Sequence, residues 1–276
     1  MATVTSRHNP IVARYRAAAR GEDRSLMLVD GVHLVADALA AAVALHDVTV
    51  AAGADTRPDA AALLDALTRA RVPFVTASAA VMAALSPVRS PSPIVALAQR
   101  PPIDDSRVYA ARDPDGPHGS SAEPFVVIAT DIQDPGNLGA VVRVAEAAGA
   151  SGVVAAGACA DPFSWKALRG SMGSAFRLPI GIASDAAAAV SAARARGCRI
   201  IATTPRNGRS IFDVDLRCAA AVLIGGEGPG LPRALIERAD DRVTIPMAST
   251  VESLNAAATA AVILYEAFRQ RGPART

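Results

Sequence analysis

Short apolar runs alternate with segments of helical period along almost the whole chain. PIVARYRAAAR reads as a short basic helix, SLMLVD as a strand and GVHLVADALAA as a helix. DVTVAAG, PDAAALLDALTRA, PFVTAS, AAVMAAL and PIVALAQR then continue as strand, helix, strand, helix and strand. This rhythm predicts an α/β domain over residues 1–100, its strands covered by helices. Residues 101–122 hold no period and are dominated by Pro, Asp, Gly and Ser, which predicts an exposed linker; SRVYAA is the one piece able to order. The alternation resumes at Glu123 with the strands PFVVIATD, GVVAAG, LPIGIA, CRIIATT, CAAAVLIGG and DRVTIPM. Helices are predicted at NLGAVVRVAEAAGA, DAAAAVSAARARG and PRALIERA, and over a long apolar segment from Ser253 to about Arg271. Residues 123–276 therefore form a second, larger α/β domain.

Composition narrows the function classes. Half of the 276 residues are apolar and a fifth charged, the profile of a soluble globular chain. All but one of the 28 basic residues are arginine, and the formal net charge is only +2, which does not by itself indicate a nucleic-acid partner. The local balance differs: residues 1–24 carry Arg7, Arg14, Arg16, Arg20 and Arg24 against Glu22 and Asp23. Cys159, Cys198 and Cys218 form no C-x-x-C pair, and the four histidines cluster neither with one another nor with the cysteines, so no metal site is expected. The chain start has no apolar signal core and no stretch of membrane-spanning length, so a cytoplasmic protein without a membrane partner is expected.

Three stretches carry chemistry. In DIQDPGNLGAVVRVAEAAGA, residues 131–150, a strand end and an Asp-Pro-Gly turn lead to Asn137, a plausible helix cap; Arg143 then lies inside an otherwise apolar helix, either reaching solvent or held for a purpose. In IGGEGPGLP, residues 224–232, Glu227 stands among glycines between a strand and a helix. The spacing fits neither G-x-G-x-x-G nor a P-loop, which argues against a nucleotide-binding dehydrogenase; the loop is either a tight turn or a place where backbone approaches a ligand. In VTIPMASTVESLNAAATAAVILYEA, residues 243–267, Ser253 or Thr250 can cap a helix with Asn255 in its first turn and small residues along one face, suited to a core or to a twin subunit.

Together, the order, spacing and wording of these stretches closely resemble the SpoU/TrmH family of RNA ribose 2′-O-methyltransferases, within the SPOUT superfamily. The resemblance spans about residues 124–270, including KALRGSMGSAFRLPI between the first two motifs. More loosely, SRHNPIVARYRAAAR and LMLVDGVHLVADAL resemble the substrate-binding domain of members acting on ribosomal RNA. The implied fold is an α/β SPOUT domain with a C-terminal trefoil knot plus a smaller N-terminal α/β RNA-binding domain. The implied cofactor is S-adenosyl-L-methionine, contacted at Thr203, Gly225, Gly226, Gly228, Ile245, Leu254 and Ala256. The implied catalytic group is Arg143 with Asn137, Glu227, Ser253 and Asn255 around it. A guanidinium is a poor base, so binding a phosphate and stabilising charge on the 2′-oxygen is the physically defensible role for Arg143. The resemblance further implies a homodimer and an RNA partner, with Arg7, Arg14, Arg16, Arg169 and Arg177 as candidate RNA contacts. Ribosomal RNA is the expected substrate; transfer RNA, or a non-catalytic RNA-binding or ribosome-assembly role, are the alternatives.

Overall fold

The computed structural model describes residues 3–88, 92–110, 123–228, 230–248 and 250–272. The expected linker at 101–122 falls outside the described residues from 111 onward. The chain divides into two units, one of Met1–Pro102 with Phe163–Phe176, the other of Ile103–Pro162 with Arg177–Thr276.

The first unit runs β1 (Thr3–Val4), α1 (Pro10–Arg20), β2 (Leu26–Asp30), α2 (Val32–Ala40), β3 (Leu45–Ala51), α3 (Pro58–Arg69), β4 (Val75–Ala77), α4 (Ala79–Leu85) and β5 (Ile94–Gln99). Its sheet has the order β1-β4-β3-β5-β2, with β5 antiparallel to both neighbours and the other pairs parallel. Local chemistry bounds α1 sharply. Asn9 accepts from the Ile11 amide at 3.0 Å, Pro10 occupies the first turn, and Gly21 ends the helix at φ 72°. The inward stripe Val12, Tyr15 and Ala18 packs on Leu28, Val81, Met82, Leu85 and Leu97. Tyr15 is wholly buried, with its hydroxyl 3.0 Å from the Asp47 carbonyl and 3.1 Å from Thr49 Oγ1; burial pushes the phenol pKa up, keeping it a donor.

The second unit contains α5 (Asp105–Val108), β6 (Phe125–Thr130), α6 (Pro135–Ala147) and β7 (Gly152–Ala156). The chain then contributes α7 (Trp165–Ser171) to the first unit, where Trp165 packs against the α1–α4 core. Back in the second unit follow β8 (Ile180–Ala183), α8 (Ala186–Ala195), β9 (Arg199–Thr203), β10 (Arg209–Ser210), β11 (Ala220–Gly225), α9 (Arg233–Arg238), β12 (Asp241–Thr244) and α10 (Ala256–Arg271). All seven strands are parallel, in the order β10-β12-β9-β11-β6-β7-β8. A parallel sheet needs apolar cover on both faces, which is why β6, β7 and β11 have almost no polar residues. The chain fills the sheet in one direction from β6 to β8, then inserts β11 between β6 and β9. The carboxyl ends of β6 and β11 thus flank a change of winding direction, the place where open α/β sheets take ligands.

Three boundaries differ from the sequence reading. Asp134, not Asn137, caps α6: its carboxylate accepts from the Asn137 amide at 2.8 Å, and Pro135 starts the helix where a missing N–H costs nothing. Asn255, rather than Ser253 or Thr250, caps α10, its Oδ1 accepting from Ala257 and Ala258 amides at 2.9 and 3.3 Å. β12 stops at Thr244, leaving Ile245 and Met247 in the loop beyond. Among the described residues no helix is long and apolar enough to cross a membrane, and no group of three or more His, Cys, Asp or Glu is placed to hold a metal ion.

Candidate active site

A cleft of about 360 Å³ opens at the carboxyl ends of β9, β11 and β12, a size that suits a small molecule. Three chain segments form most of its wall, with Ile236 of α9 beside them. Thr203 and Thr204 come from the end of β9, Gly225 to Gly228 from the loop after β11, and Ile245, Met247 and Ser253 to Ala256 from the approach to α10. All seven residues singled out for the cofactor line this one cleft. Thr204, Pro205, Met247, Thr259 and Ile263 line it as well and were missed; Thr259 sits one helical turn beyond Asn255, a spacing that would have found it.

The glycines act mainly on backbone packing. A Cβ at Gly226 would overlap the Asp131 carbonyl, and one at Gly225 would come within 2.7 Å of the Gly230 and Leu231 backbone. Gly228, at φ 95°, and Gly230, at φ 66°, face open space and are held to glycine by their left-handed backbone. The loop is therefore pressed against the end of β6 and against its own return, so Glu227 is presented at a fixed place on the rim.

Asn137, Glu227 and Asn255 meet there although far apart in the chain. Because Asn255 Oδ1 is taken by two helix amides, its Nδ2 must face outward; it donates to Asn137 Oδ1 at 3.1 Å and to Glu227 Oε1 at 3.2 Å. Asn137 Nδ2 donates to the same Glu227 oxygen. Two amides thus converge on Oε1 and leave Oε2 as the acceptor for an incoming group. Asn137 is free for this because Asp134 took the capping role. Ser253 is exposed on the cleft wall beside Leu254, which is 37% exposed.

Arg143 is not part of this chain's cleft. Six residues along α6 from Asn137, it points about 120° around the helix and lies ~9 Å further along its axis. It is exposed, and among the described residues no hydrogen bond or ion pair engages it.

The arginines put forward for RNA divide into kinds. Arg14 pairs with Asp47 at 2.7 Å, and Arg177 makes a two-point pair with Glu146 at 2.7 and 2.9 Å. Arg169 is exposed in the last turn of α7. Arg7 and Arg16 donate through Nε to the carbonyls of Ala80 and Ala84, at 3.1 and 3.0 Å.

Comparison with known proteins agrees with this architecture. Residues 124–265 match the model of the SpoU rRNA Methylase family. An uncharacterized tRNA/rRNA methyltransferase of Synechocystis sp. is 31% identical over all of this chain and 97% of its own length. A 23S rRNA (uridine(2479)-2′-O)-methyltransferase of Streptomyces viridochromogenes is 36% identical over 68% of this chain and 63% of its own. Among solved structures, an AdoMet-bound rRNA methyltransferase from Sinorhizobium meliloti superposes with a TM-score of 0.80 at 28% identity, covering 97% of both chains. On the family match and the full-length relative together, this chain belongs to the SpoU rRNA Methylase family.

Proposed function

We propose that the protein methylates a ribose 2′-hydroxyl of RNA, with S-adenosylmethionine as donor and ribosomal RNA as substrate. The observation that carries the reading is the juxtaposition of Asn137, Glu227 and Asn255 on the rim of one cleft at the carboxyl ends of β9, β11 and β12. The cleft suits the donor: Ile245, Leu254 and Ile263 offer an apolar slot for a purine, and the glycine loop leaves backbone as wall. When bound, S-adenosylmethionine supplies an electrophilic methyl group. The protein's part is positional: the free face of Glu227 accepts the ribose hydroxyl and Ser253 bounds its approach, so that oxygen and methyl carbon are held in line. Arg143 binds the adjacent phosphate and stabilises charge growing on the 2′-oxygen.

Because Arg143 points away from the Glu227 of its own chain, the reading includes a homodimer in which it serves the partner's cleft. The exposed Tyr265 on α10, which packs beside α6, supports such a face. The reading also carries the knotted C-terminal threading implied by the resemblance. The likeness to the Sinorhizobium meliloti rRNA methyltransferase runs through both units, which favours ribosomal over transfer RNA.

The test is incubation with labelled S-adenosylmethionine and separated ribosomal and transfer RNA, followed by mapping of alkali-resistant linkages. Label in large ribosomal RNA at an alkali-resistant position is expected. Label confined to transfer RNA overturns the substrate, and no transfer to either overturns the enzyme.

A further inference from the structure

Among the described residues, two arginines of the first unit share an arrangement that no other hydrogen bond of its arginines repeats. Arg7, just before α1, and Arg16, within it, each turn Nε–H onto a carbonyl of α4, at Ala80 and Ala84. A guanidinium has five N–H donors in one plane. Fixing Nε to backbone sets that plane and removes much of the side chain's rotamer freedom, while both terminal nitrogens stay open to solvent. Neither residue has a carboxylate partner among the described residues, whereas Arg14 is held by Asp47, Arg20 by Glu22 and Arg57 by Asp59. The two anchoring carbonyls are four residues apart on α4, ~6 Å along its axis, and each fork is held within hydrogen-bond distance of its own carbonyl. The carbonyl spacing is comparable with the separation of consecutive phosphates along an RNA strand. Anchored and without a carboxylate partner, the forks suit two-point capture of phosphate oxygens.

We infer that Arg7 and Arg16 form a phosphate clamp for two successive nucleotides of the RNA substrate, and that Arg14 takes no part in it. The inference rests on the RNA-methylating function proposed above, and it names where the first unit grips the backbone. A carboxylate-bearing partner would find the same charges, but a protein acid lacks the regular repeat of a phosphate backbone.

The clamp is tested with the full chain and a fluorescein-labelled oligouridylate, by titration over a range of KCl. Each phosphate that the protein ceases to neutralise lowers the salt slope by about 0.7 for a single strand, so Arg7→Gln with Arg16→Gln is expected to flatten log K against log[KCl] by about 1.4. Affinity at low salt should fall by about tenfold or more in the same pair. Arg14→Gln should leave the slope unchanged. Arg7→Lys with Arg16→Lys keeps both charges but not the forks; it should hold the slope while weakening binding several-fold.

A wild-type slope in the glutamine pair overturns the clamp, as does an equal loss in Arg14→Gln, which would mean diffuse charge. Should the glutamine pair fail to fold, the lysine pair decides, and wild-type affinity there removes the fork. Methyl transfer by the unaltered protein separates the two readings. Transfer with an unflattened glutamine-pair slope defeats the clamp alone; a flattened slope without any transfer defeats the proposed reaction alone.

Discussion

Both ends of the Asn255 side chain are occupied: the oxygen caps α10, and the nitrogen reaches Asn137 and Glu227. Two substitutions separate these roles. Asn255→Ala removes both, and unfolding in urea should show a loss of about 1 kcal/mol for the cap. Asn255→Asp keeps an N-cap oxygen but sets a second oxygen against Glu227. Methyl transfer should fall by about tenfold or more in each, the equivalent of one hydrogen bond to a charged group. Full activity in the aspartate variant would show that the amide contact to Glu227 is dispensable. On the cleft wall, Leu254→Arg should fill the slot and abolish S-adenosylmethionine binding; an unchanged affinity by calorimetry would move the donor elsewhere. These residue identities are legible in the motif wording. Their hydrogen bonds are not, because Asn137 and Asn255 stand 118 positions apart and nothing in either local stretch specifies the other.

At the scale of elements, α10 is fastened at both ends. Its last residue, Arg271, donates to the carbonyls of Leu216 at 2.5 Å, Glu123 at 2.7 Å and Cys218, and lies 4.7 Å from the Phe125 ring centroid. Burial pulls the Arg271 pKa below the usual guanidinium range, and the ring of carbonyls offsets the cost of desolvation. Arg271→Ala should destabilise the fold by about 3 kcal/mol, since each hydrogen bond from a charged donor contributes about 1.5–3 kcal/mol. A urea midpoint close to wild type would show that helix packing alone holds the C-terminus. The elements themselves follow from period: strands without a polar face and helices with one apolar stripe. The exact starts of α6 and α10 do not, because each is preceded by several competent capping residues. Which one caps follows the backbone path: at α6 Pro135 starts the helix directly after Asp134, and at α10 the capping Asn255 also reaches Asn137 and Glu227.

At the scale of the whole molecule, the orientation of Arg143 makes a test by complementation. Arg143→Ala alone should abolish transfer and spare donor binding. Mixed with Leu254→Arg and allowed to reassort, it should regain about a quarter of wild-type turnover if the proposed homodimer forms, because half of such dimers would be mixed and each would have one competent cleft. No recovery would place Arg143 in the service of its own chain. The distribution of the chain between units also emerges only at this scale. Residues 163–176 stand between motifs of the second domain, yet α7 completes the core of the first, where Trp165 finds apolar cover.

What the sequence determined by itself was the pair of α/β sheets, through hydrophobic period, and, through the resemblance carried by three motifs, the residues that line one cleft or stand on its rim, Arg143 excepted. Only the tertiary structure decided which of those residues meet. Strand order brought β11 beside β6, and so Glu227 beside Asn137, while helical phase turned Arg143 away from both. Period and composition are local and report what each segment buries. Contacts between segments 90 or more residues apart depend on how the whole chain closes, which no local pattern encodes.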